Sequence, residues 1–184
     1  MKTEPIQDYI LKNERNLRIA AAVGDAWPEA KEKLVSGFLD RLELRLTKHL
    51  KGWTFNRWER FLVDGWPSYN FWRPLWEDQY YISLQADNYG ETISFGVGRN
   101  KDEIAKRPFC PKLLNTVRRL HPSARPHGWW EARATMRSPE PDWRKPEVLW
   151  RMHKDADFLQ QVADQLLEVA QASAPIIDRL ARKK

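Results

Sequence analysis

Two stretches of alternating apolar and polar residues, 79–88 and 91–99, constrain the fold of this chain more than any other feature. The apolar positions are Tyr80, Ile82, Leu84 and Ala86 in the first stretch and Ile93, Phe95 and Val97 in the second. Successive side chains of a β-strand point to opposite faces, so this period predicts two strands, each with one apolar and one polar face. Residues 87–90 between them have the composition of a hairpin turn. The pattern therefore predicts an antiparallel hairpin in a sheet that is covered on one side.

Three further segments extend this hairpin into a predicted core. The spacing of apolar residues predicts a short helix at 111–120 and a long helix at 157–182. Asp155 or Asp157 can cap the long helix, because a side-chain oxygen there can accept from its free N–H groups. A third strand is predicted at 128–136.

Two segments give weaker patterns. The stretch 53–76 holds five of the ten tryptophans and is interrupted by Pro67 and Pro74, so we expect a compact aromatic connection. Residues 143–153 are polar and proline-flanked, which predicts a loop that carries either a helical turn or a short strand.

The N-terminal segment has two runs of helical periodicity, at 6–23 and 27–50. Gly24 and Asp25 lie between the two runs and predict a break in the helix. Pro28 suits the first turn of a second helix, where the missing N–H costs nothing. We therefore expect a helical hairpin, which could form a dimerisation surface.

Together these elements predict an α+β fold in one domain spanning 1–184. The N-terminal helical hairpin occupies 1–52, and the α+β core occupies 53–184. In that core a small antiparallel sheet of about three to four strands packs against the long C-terminal helix. The length of 184 residues suits one domain with a substantial core.

The residue types that usually carry catalysis or bind metals are sparse and dispersed. Cys110 is the single cysteine, so an internal disulfide and a cysteine-rich zinc site are both excluded. None of the four histidines is paired with another at the spacing of a helical metal site; they are His49, His121, His127 and His153. The sequence therefore predicts no catalytic residue, no metal site and no cofactor.

Two short motifs resemble ligand sites but lack essential parts. Asp142 follows a proline as in some metal-dependent nucleases, yet no acidic-x-Lys motif follows it to complete a magnesium site. Gly96 and Gly98 lie on the polar side of a strand rather than in a phosphate-binding loop. We interpret them as a bulge or as a place where a covering element approaches closely.

The charge distribution points to an anionic partner. The chain has 31 basic and 25 acidic residues, a net charge of +6, and a basic balance favours anions through Coulomb attraction and counterion release. The basic residues that we expect to contact nucleic acid or another anion are Lys106, Arg107, Lys112, Arg118, Arg119 and Arg125. The aromatic residues that we expect to contact the same partner are Trp72, Trp76 and Trp129. The alternative is a solvated helix face above tryptophans that fill the core.

The N-terminus lacks the apolar core of a signal peptide, and no run approaches the roughly 18 apolar residues that span a bilayer. We therefore expect a cytoplasmic protein that does not associate with membranes.

The order of these elements resembles a known family pattern. A tryptophan-containing helical lead-in precedes a hairpin with strands reading Tyr-Ile-Ser-Leu and Ile-Ser-Phe-Gly-Val-Gly. A short helix, a Trp-Trp strand and a final helix starting near 155–158 then follow. Residues 53–180 thereby resemble the accessory domain that follows the catalytic core in some PD-(D/E)XK-superfamily nucleases of bacterial defence and prophage loci. This sequence lacks the nuclease core, so the activity of those proteins is not carried over, and the resemblance implies contact with nucleic acid or a partner protein.

Three functional hypotheses remain open. The first is a non-enzymatic module that binds nucleic acid or a protein partner in a bacterial defence or mobile-element context. The second is a protein-interaction or inhibitor module that forms a homodimer through residues 6–50. The third is an enzyme or small-ligand protein whose pocket lies where a curved sheet grips the last helix.

Overall fold

A computed structural model describes residues 4–58, 60–62, 65–77, 79–101 and 108–182. Within these residues the chain forms five α-helices and a six-stranded antiparallel sheet. The helices are α1 (Glu4–Leu11), α2 (Glu14–His49), α3 (Pro111–Leu120), α4 (Pro146–Lys154) and α5 (Ala156–Ala181). The strands are β1 (Thr54–Arg57), β2 (Ser68–Trp72), β3 (Tyr80–Asp87), β4 (Thr92–Arg99), β5 (Arg125–His127) and β6 (Trp130–Thr135). Their spatial order is β1-β2-β3-β4-β6-β5, and the predicted α+β class is confirmed.

The predicted hairpin is the centre of the sheet. β3 and β4 pair from Tyr80 opposite Arg99 to Asp87 opposite Thr92. The turn between them is the 3-10 segment Asn88–Gly90, in which all three residues have a positive φ. The turn composition therefore marks the place where the backbone enters the left-handed region. The predicted third strand is also confirmed, as β6 beside β4.

The sheet has more strands than the three to four predicted, because three short strands extend its edges. β1 and β2 come from the stretch expected to be a connection, and there Phe55 pairs with Phe71 and stacks on it at 5.5 Å. Pro67 and Pro74 bound β2 instead of preventing it. β5 contains Pro126, which an edge strand tolerates because one side of it needs no ladder hydrogen bonds.

The predicted N-terminal hairpin with a break at Gly24 and Asp25 is wrong. α2 runs without interruption from Glu14 to His49, and Pro28 lies in its interior. A glycine in a helix costs only about 1 kcal/mol, and the carbonyl that Pro28 leaves without a partner belongs to Gly24. Residues 21–30 are all exposed, so water can satisfy that carbonyl. The chain instead turns before α2, where the Asn13 side chain caps the helix by accepting from the Asn16 backbone N–H.

The apolar face of the sheet is filled by helices. α5 packs across β3 and β4, and the Asp155 side chain caps it as predicted by accepting from the backbone N–H groups of Asp157 and Phe158. The C-terminal half of α2 packs on α4 and α5. α4 is a nine-residue helix where a loop with one helical turn or a short strand was expected. The largest side chains of this core include Trp76, Trp143, Phe38, Phe71, Phe95 and Phe158.

The polar face of β3 and β4 is buried as well, so the expectation of a sheet covered on one side is wrong. Ser83, Gln85, Asp87 and Ser94 alternate with the apolar core residues, yet each is at most 5% exposed. These polar groups can be buried only because most of them have hydrogen-bond partners within the sheet.

The two glycines of β4 explain part of this burial. The register with β6 shifts between Val97, which pairs with Ala132, and Gly98, which pairs with Trp130, so the extra residue is Glu131 of β6. A Cβ on Gly98 would lie 2.5 Å from Tyr81 Cε2 and 2.8 Å from Trp129 Cζ3, so aromatic side chains approach the strand closely there. Gly96 has a φ of +147°, and a Cβ on it would lie 2.0 Å from the Ala132 carbonyl oxygen. The close approach expected at the glycines is therefore observed, whereas the extra residue of the register shift lies opposite them in β6.

Candidate anion-binding cleft

The charged groups that reach solvent between residues 108 and 138 are basic. This segment carries Lys112, Arg118, Arg119, Arg125, Arg133 and Arg137. Its one acidic residue, Glu131, is fully buried and pairs with Arg99 at 3.2 Å. No carboxylate of the segment therefore offsets its exposed cations, and a positive potential results.

Helix α3 presents three of the predicted basic residues to solvent. Lys112, Arg118 and Arg119 are exposed, whereas Leu113 and Val117 on the opposite side are buried. The helix contains no acidic residue. Lys106 and Arg107, which were predicted to act with them, lie outside the described residues.

Arg118 also shapes the loop after α3. Its Nε donates to the Ala124 carbonyl at 3.1 Å, and Ala124 is buried. The hydrogen bond fixes the chain direction just before β5 and its Arg125. The basic face of α3 and the start of β5 are thus held in one rigid arrangement.

Three arginines line a cleft of about 420 Å³ beside β5 and β6, together with three hydroxyl side chains. Arg125 lies directly opposite Arg133 in the β5–β6 ladder, and Arg137 follows two residues after the end of β6. Like charges directly opposite each other on neighbouring strands destabilise a sheet. Among the described residues, neither Arg125 nor Arg137 has an ion pair or a side-chain hydrogen bond. The hydroxyl groups belong to Thr92, Ser123 and Thr135.

Arg133 differs from its two neighbours because a buried network holds it. Its guanidinium donates to Asp87, and its Nε donates to Ser94 Oγ at 2.9 Å. Asp87 also accepts from Gln85 at 2.5 Å and from Ser94 at 2.6 Å. The remaining Nη1 lies 3.5 Å from His127 Nδ1. Arg133 is therefore both charge-compensated and fixed in orientation.

A second cleft of about 450 Å³ continues from the first, since both are lined by Ser123, Thr135 and Arg137. His121 lies in this second cleft with its ring edge-on to Phe95, at 4.7 Å between centroids. Burial lowers the pKa of His121 below its ordinary 6.5, and Glu168 partly opposes this. The imidazole is therefore neutral near pH 7, and the cleft charge comes from the arginines.

The predicted aromatic contacts lie in different environments. Trp76 is fully buried, with Nε1 donating to Asp178 at 2.7 Å, and has no exposed surface to offer a partner. Trp72 is half-buried on β2 against the core. Trp129 is half-buried and stacks on Trp130, with 4.5 Å between centroids. A contact through Trp72 or Trp129 stays a prediction.

The described residues hold no metal-ligand cluster, and Asp142 has a structural partner. Among the described residues, no group of three or more His, Cys, Asp or Glu side chains could hold a metal ion. Asp142 accepts from Arg144 Nε at 2.9 Å and from Nη2 at 3.1 Å, and this bonding lowers the pKa of the carboxyl group. Asp142 therefore stabilises the loop in which it and Arg144 lie.

The sequence did not reveal Arg133, Arg137 or Asp87 as site residues. One usable signal was the alternation of Arg133 and Thr135 with the apolar Ala132 and Ala134, which places both on the polar side of a strand. Their meeting with Arg125 and Asp87 depends on the strand order β3-β4-β6-β5. Periodicity within one strand carries no information about that order.

Comparisons with known proteins gave no family assignment. No family model, curated protein or solved structure matched the chain. In the part of the chain that the structure describes, no helix combines the length and apolar character needed to cross a membrane. The function is therefore argued from the site itself.

Proposed function

We propose that the protein is a non-enzymatic binding module that contacts nucleic acid through a basic surface. We define this basic surface as Lys112, Arg118 and Arg119 of α3 together with Arg125 of β5 and Arg137 beyond β6. A nucleic-acid backbone carries one negative charge per phosphate, and cations clustered on one face neutralise several of them.

One observation carries the proposal. Between residues 108 and 138 no exposed carboxylate lies among the cations, because Glu131 is buried against Arg99. Asp87 pairs with Arg133, and Glu168 of α5 is close enough for its charge to act on His121. A solvated face of ordinary composition mixes both signs of charge. A surface of one sign attracts polyanions and raises their rate of association.

The resemblance of residues 53–180 to accessory domains of PD-(D/E)XK-superfamily nucleases agrees with this proposal. It suggests a bacterial defence or mobile-element context and a cytoplasmic site of action. The alternative of a ligand pocket between the sheet and the last helix has less support. That interface is packed with fully buried side chains such as Phe95, Leu166 and Ile177.

The test is the salt dependence of oligonucleotide binding. Fluorescence anisotropy with labelled single- and double-stranded oligonucleotides should show affinity that falls linearly, on logarithmic axes, between about 50 and about 200 mM salt. The variant Lys112→Ala/Arg119→Ala should weaken binding and reduce the slope by about two, since each lost phosphate contact contributes about one. The control Lys48→Ala/Lys51→Ala removes two exposed charges elsewhere and should leave the slope nearly unchanged.

Two results would contradict the proposal. Absence of salt-sensitive binding to either oligonucleotide would remove nucleic acid as the partner. An equal loss of affinity in the control variant would show that net charge matters and that this surface does not.

A second candidate function, self-association, is favoured by the exposed N-terminal part of α2. Residues 21–30 have no buried position, and Val23 and Trp27 are 60% and 39% exposed. The spacing of Ala20, Val23, Trp27 and Ala30 puts these residues on one side of the helix. We infer that this stripe can pair with another copy of the chain, as expected for a homodimer through residues 6–50.

Light scattering over a range of protein concentrations tests self-association. The wild type should approach the mass of a dimer, and Val23→Asp should shift it to a monomer by placing a charge in the apolar stripe. Ala22→Asp adds the same charge outside the stripe and should leave the mass unchanged. A wild type that stays monomeric at every concentration would rule this candidate out.

A further inference from the structure

We propose that Arg125, Arg133 and Arg137 together hold a single phosphate group of a nucleic-acid strand. This inference rests on the proposed function, because the strand that supplies the phosphate is the partner proposed there. It goes further by assigning one ligand group to the cleft and a separate role to each residue around it.

The three arginines lie around one cleft. Arg125 and Arg133 face each other across the β5–β6 ladder, and Arg137 lines the same cleft. Asp87 compensates one of the three charges, and no carboxylate lines the cleft within the described residues. A ligand with two negative charges, or one charge of a longer polyanion, would relieve the repulsion between them.

The Arg133 guanidinium is held in place before any ligand binds. Asp87 and Ser94 hold two sides of the Arg133 guanidinium, and Asp87 is itself held by Gln85. An arginine that is already fixed loses little side-chain entropy when a ligand binds. Arg133 is therefore the rigid base of the site, and the exposed Arg125 and Arg137 can close on the ligand from either side.

Hydroxyl side chains surround the position proposed for the phosphate. Hydroxyl groups of Thr92, Ser123 and Thr135 line the cleft and can donate to phosphate oxygens. The second cleft shares Ser123, Thr135 and Arg137 with the first, so the two form one groove. The groove has room for more than an isolated ion, which favours a phosphate that is part of a strand.

A double-mutant cycle distinguishes one shared phosphate from two independent contacts. Arg125→Ala and Arg137→Ala should each weaken oligonucleotide binding about tenfold, the loss of a charge-assisted hydrogen bond. If both hold the same phosphate, the double variant should bind little more weakly than either single variant, and the salt slope should fall by about one. Additive losses with a slope that falls by about two would overturn the shared site.

Asp87 should act as a positioning residue, and charge gives a direct test. Asp87→Asn makes the cleft more positive by one unit. A purely electrostatic site would then bind more tightly, whereas a site that needs an oriented Arg133 would bind several-fold more weakly. Ser94→Ala removes the Nε acceptor without a change of charge and should also weaken binding, which covers the case in which Asp87→Asn fails to fold. Unchanged or tighter binding in the folded variants would overturn the positioning role.

The source of the phosphate is decided by the end of the strand. Oligonucleotides with a 5′-phosphate and with a 5′-hydroxyl should be compared in wild type and in Arg125→Ala/Arg137→Ala. An effect of the variant on both oligonucleotides assigns the cleft to an internal phosphodiester. An effect on the phosphorylated one alone assigns it to a terminal monoester.

Failure of this inference is distinguishable from failure of the proposed function. If Lys112→Ala/Arg119→Ala weakens binding while Arg125→Ala/Arg137→Ala does not, α3 binds nucleic acid and the cleft does not hold a phosphate. If wild-type protein shows no salt-sensitive binding at all, both fall together.

Discussion

The two faces of the central hairpin are buried to a similar extent by different physical means. On one face, Ile82, Leu84, Phe95 and Val97 pack against α5 and need only a partner of complementary shape. On the other face, Asp87 and its polar neighbours are buried because specific donors and acceptors meet them. Burial of an apolar side chain is favourable in itself, whereas burial of a polar one costs free energy unless it is paired.

A site for a charged ligand can arise on only one of these two faces. The apolar face is closed by volume and leaves nothing for a charged ligand. At the edge of the polar face, Asp87 compensates the charge of Arg133. Arg125 and Arg137 line the same cleft and have no such partner among the described residues. Most of the buried polar groups are therefore paired with one another, and the arginines without a carboxylate partner lie at the edge of the sheet.

The largest loss of stability is expected from Phe95→Ala, which tests the packing of the apolar face. Phe95 is 1% exposed on β4, so its truncation should lower the free energy of unfolding by about 3–5 kcal/mol through lost burial and a cavity. Urea denaturation measures this loss. Trp150→Ala removes an aromatic ring that is 64% exposed and should change stability by no more than about 0.5 kcal/mol. Similar losses in both variants would contradict the assignment of Phe95 to the core.

Asp87→Ala tests the hydrogen bonding of the polar face in the same way. It leaves Arg133, Ser94 and Gln85 without their acceptor and should cost about 3 kcal/mol. In contrast, Asp40→Ala breaks an ion pair whose carboxylate is 62% exposed and should cost at most about 1 kcal/mol.

A double replacement sharpens this contrast. Asp87→Leu with Arg133→Met removes both charges and should recover much of the loss, because no buried charge is left unpaired. A double variant as unstable as Asp87→Ala would show that the polar face depends on more than this pair.

A smaller effect is expected where aromatic rings close the polar face over Gly98. The Cβ of Gly98→Ala would have to displace Tyr81 and Trp129, with an expected cost of about 1–3 kcal/mol. Gly37→Ala in α2 meets only the Arg41 guanidinium at an ordinary 3.7 Å, so it should stabilise the helix by about 0.5–1 kcal/mol. Thermal unfolding compares the two, and a neutral Gly98→Ala would show that the rings have room to move.

The smallest change in stability is expected at His121, whose ring packs edge-on against Phe95. Burial lowers the pKa of His121, so the unfolded chain takes up a proton at a higher pH than the folded protein. The contribution of the neutral imidazole to stability is therefore complete above the unfolded pKa of 6.5 and is lost as pH falls below it.

Urea denaturation at about pH 7.5 and about pH 5.5 measures this dependence. His121→Gln should lose less stability on acidification than the wild type does. Equal pH dependence in wild type and His121→Gln would assign the titration to other groups.

The extent of prediction from sequence follows from the range of each interaction. Alternation and turn composition were enough for the β3–β4 hairpin, and helical spacing with the Asp155 cap was enough for α5. The same local signals were misleading at Gly24. They mark a residue that disfavours a helix, but they do not show that water can satisfy the exposed backbone there. The short strands β1, β2 and β5 were missed because their stability comes from the neighbours they pair with.

Local features of the sequence were enough for the alternation of β3 and β4, the beginnings of α3 and α5, and the excess of positive charge. Such features depend on residues a few positions apart. The fold alone brings Asp87 beside Arg133 and Arg125 opposite Arg133, and it buries the polar face of β3 and β4. These pairs bring together strands that are distant along the chain, and their order in the sheet is set by packing of the whole core.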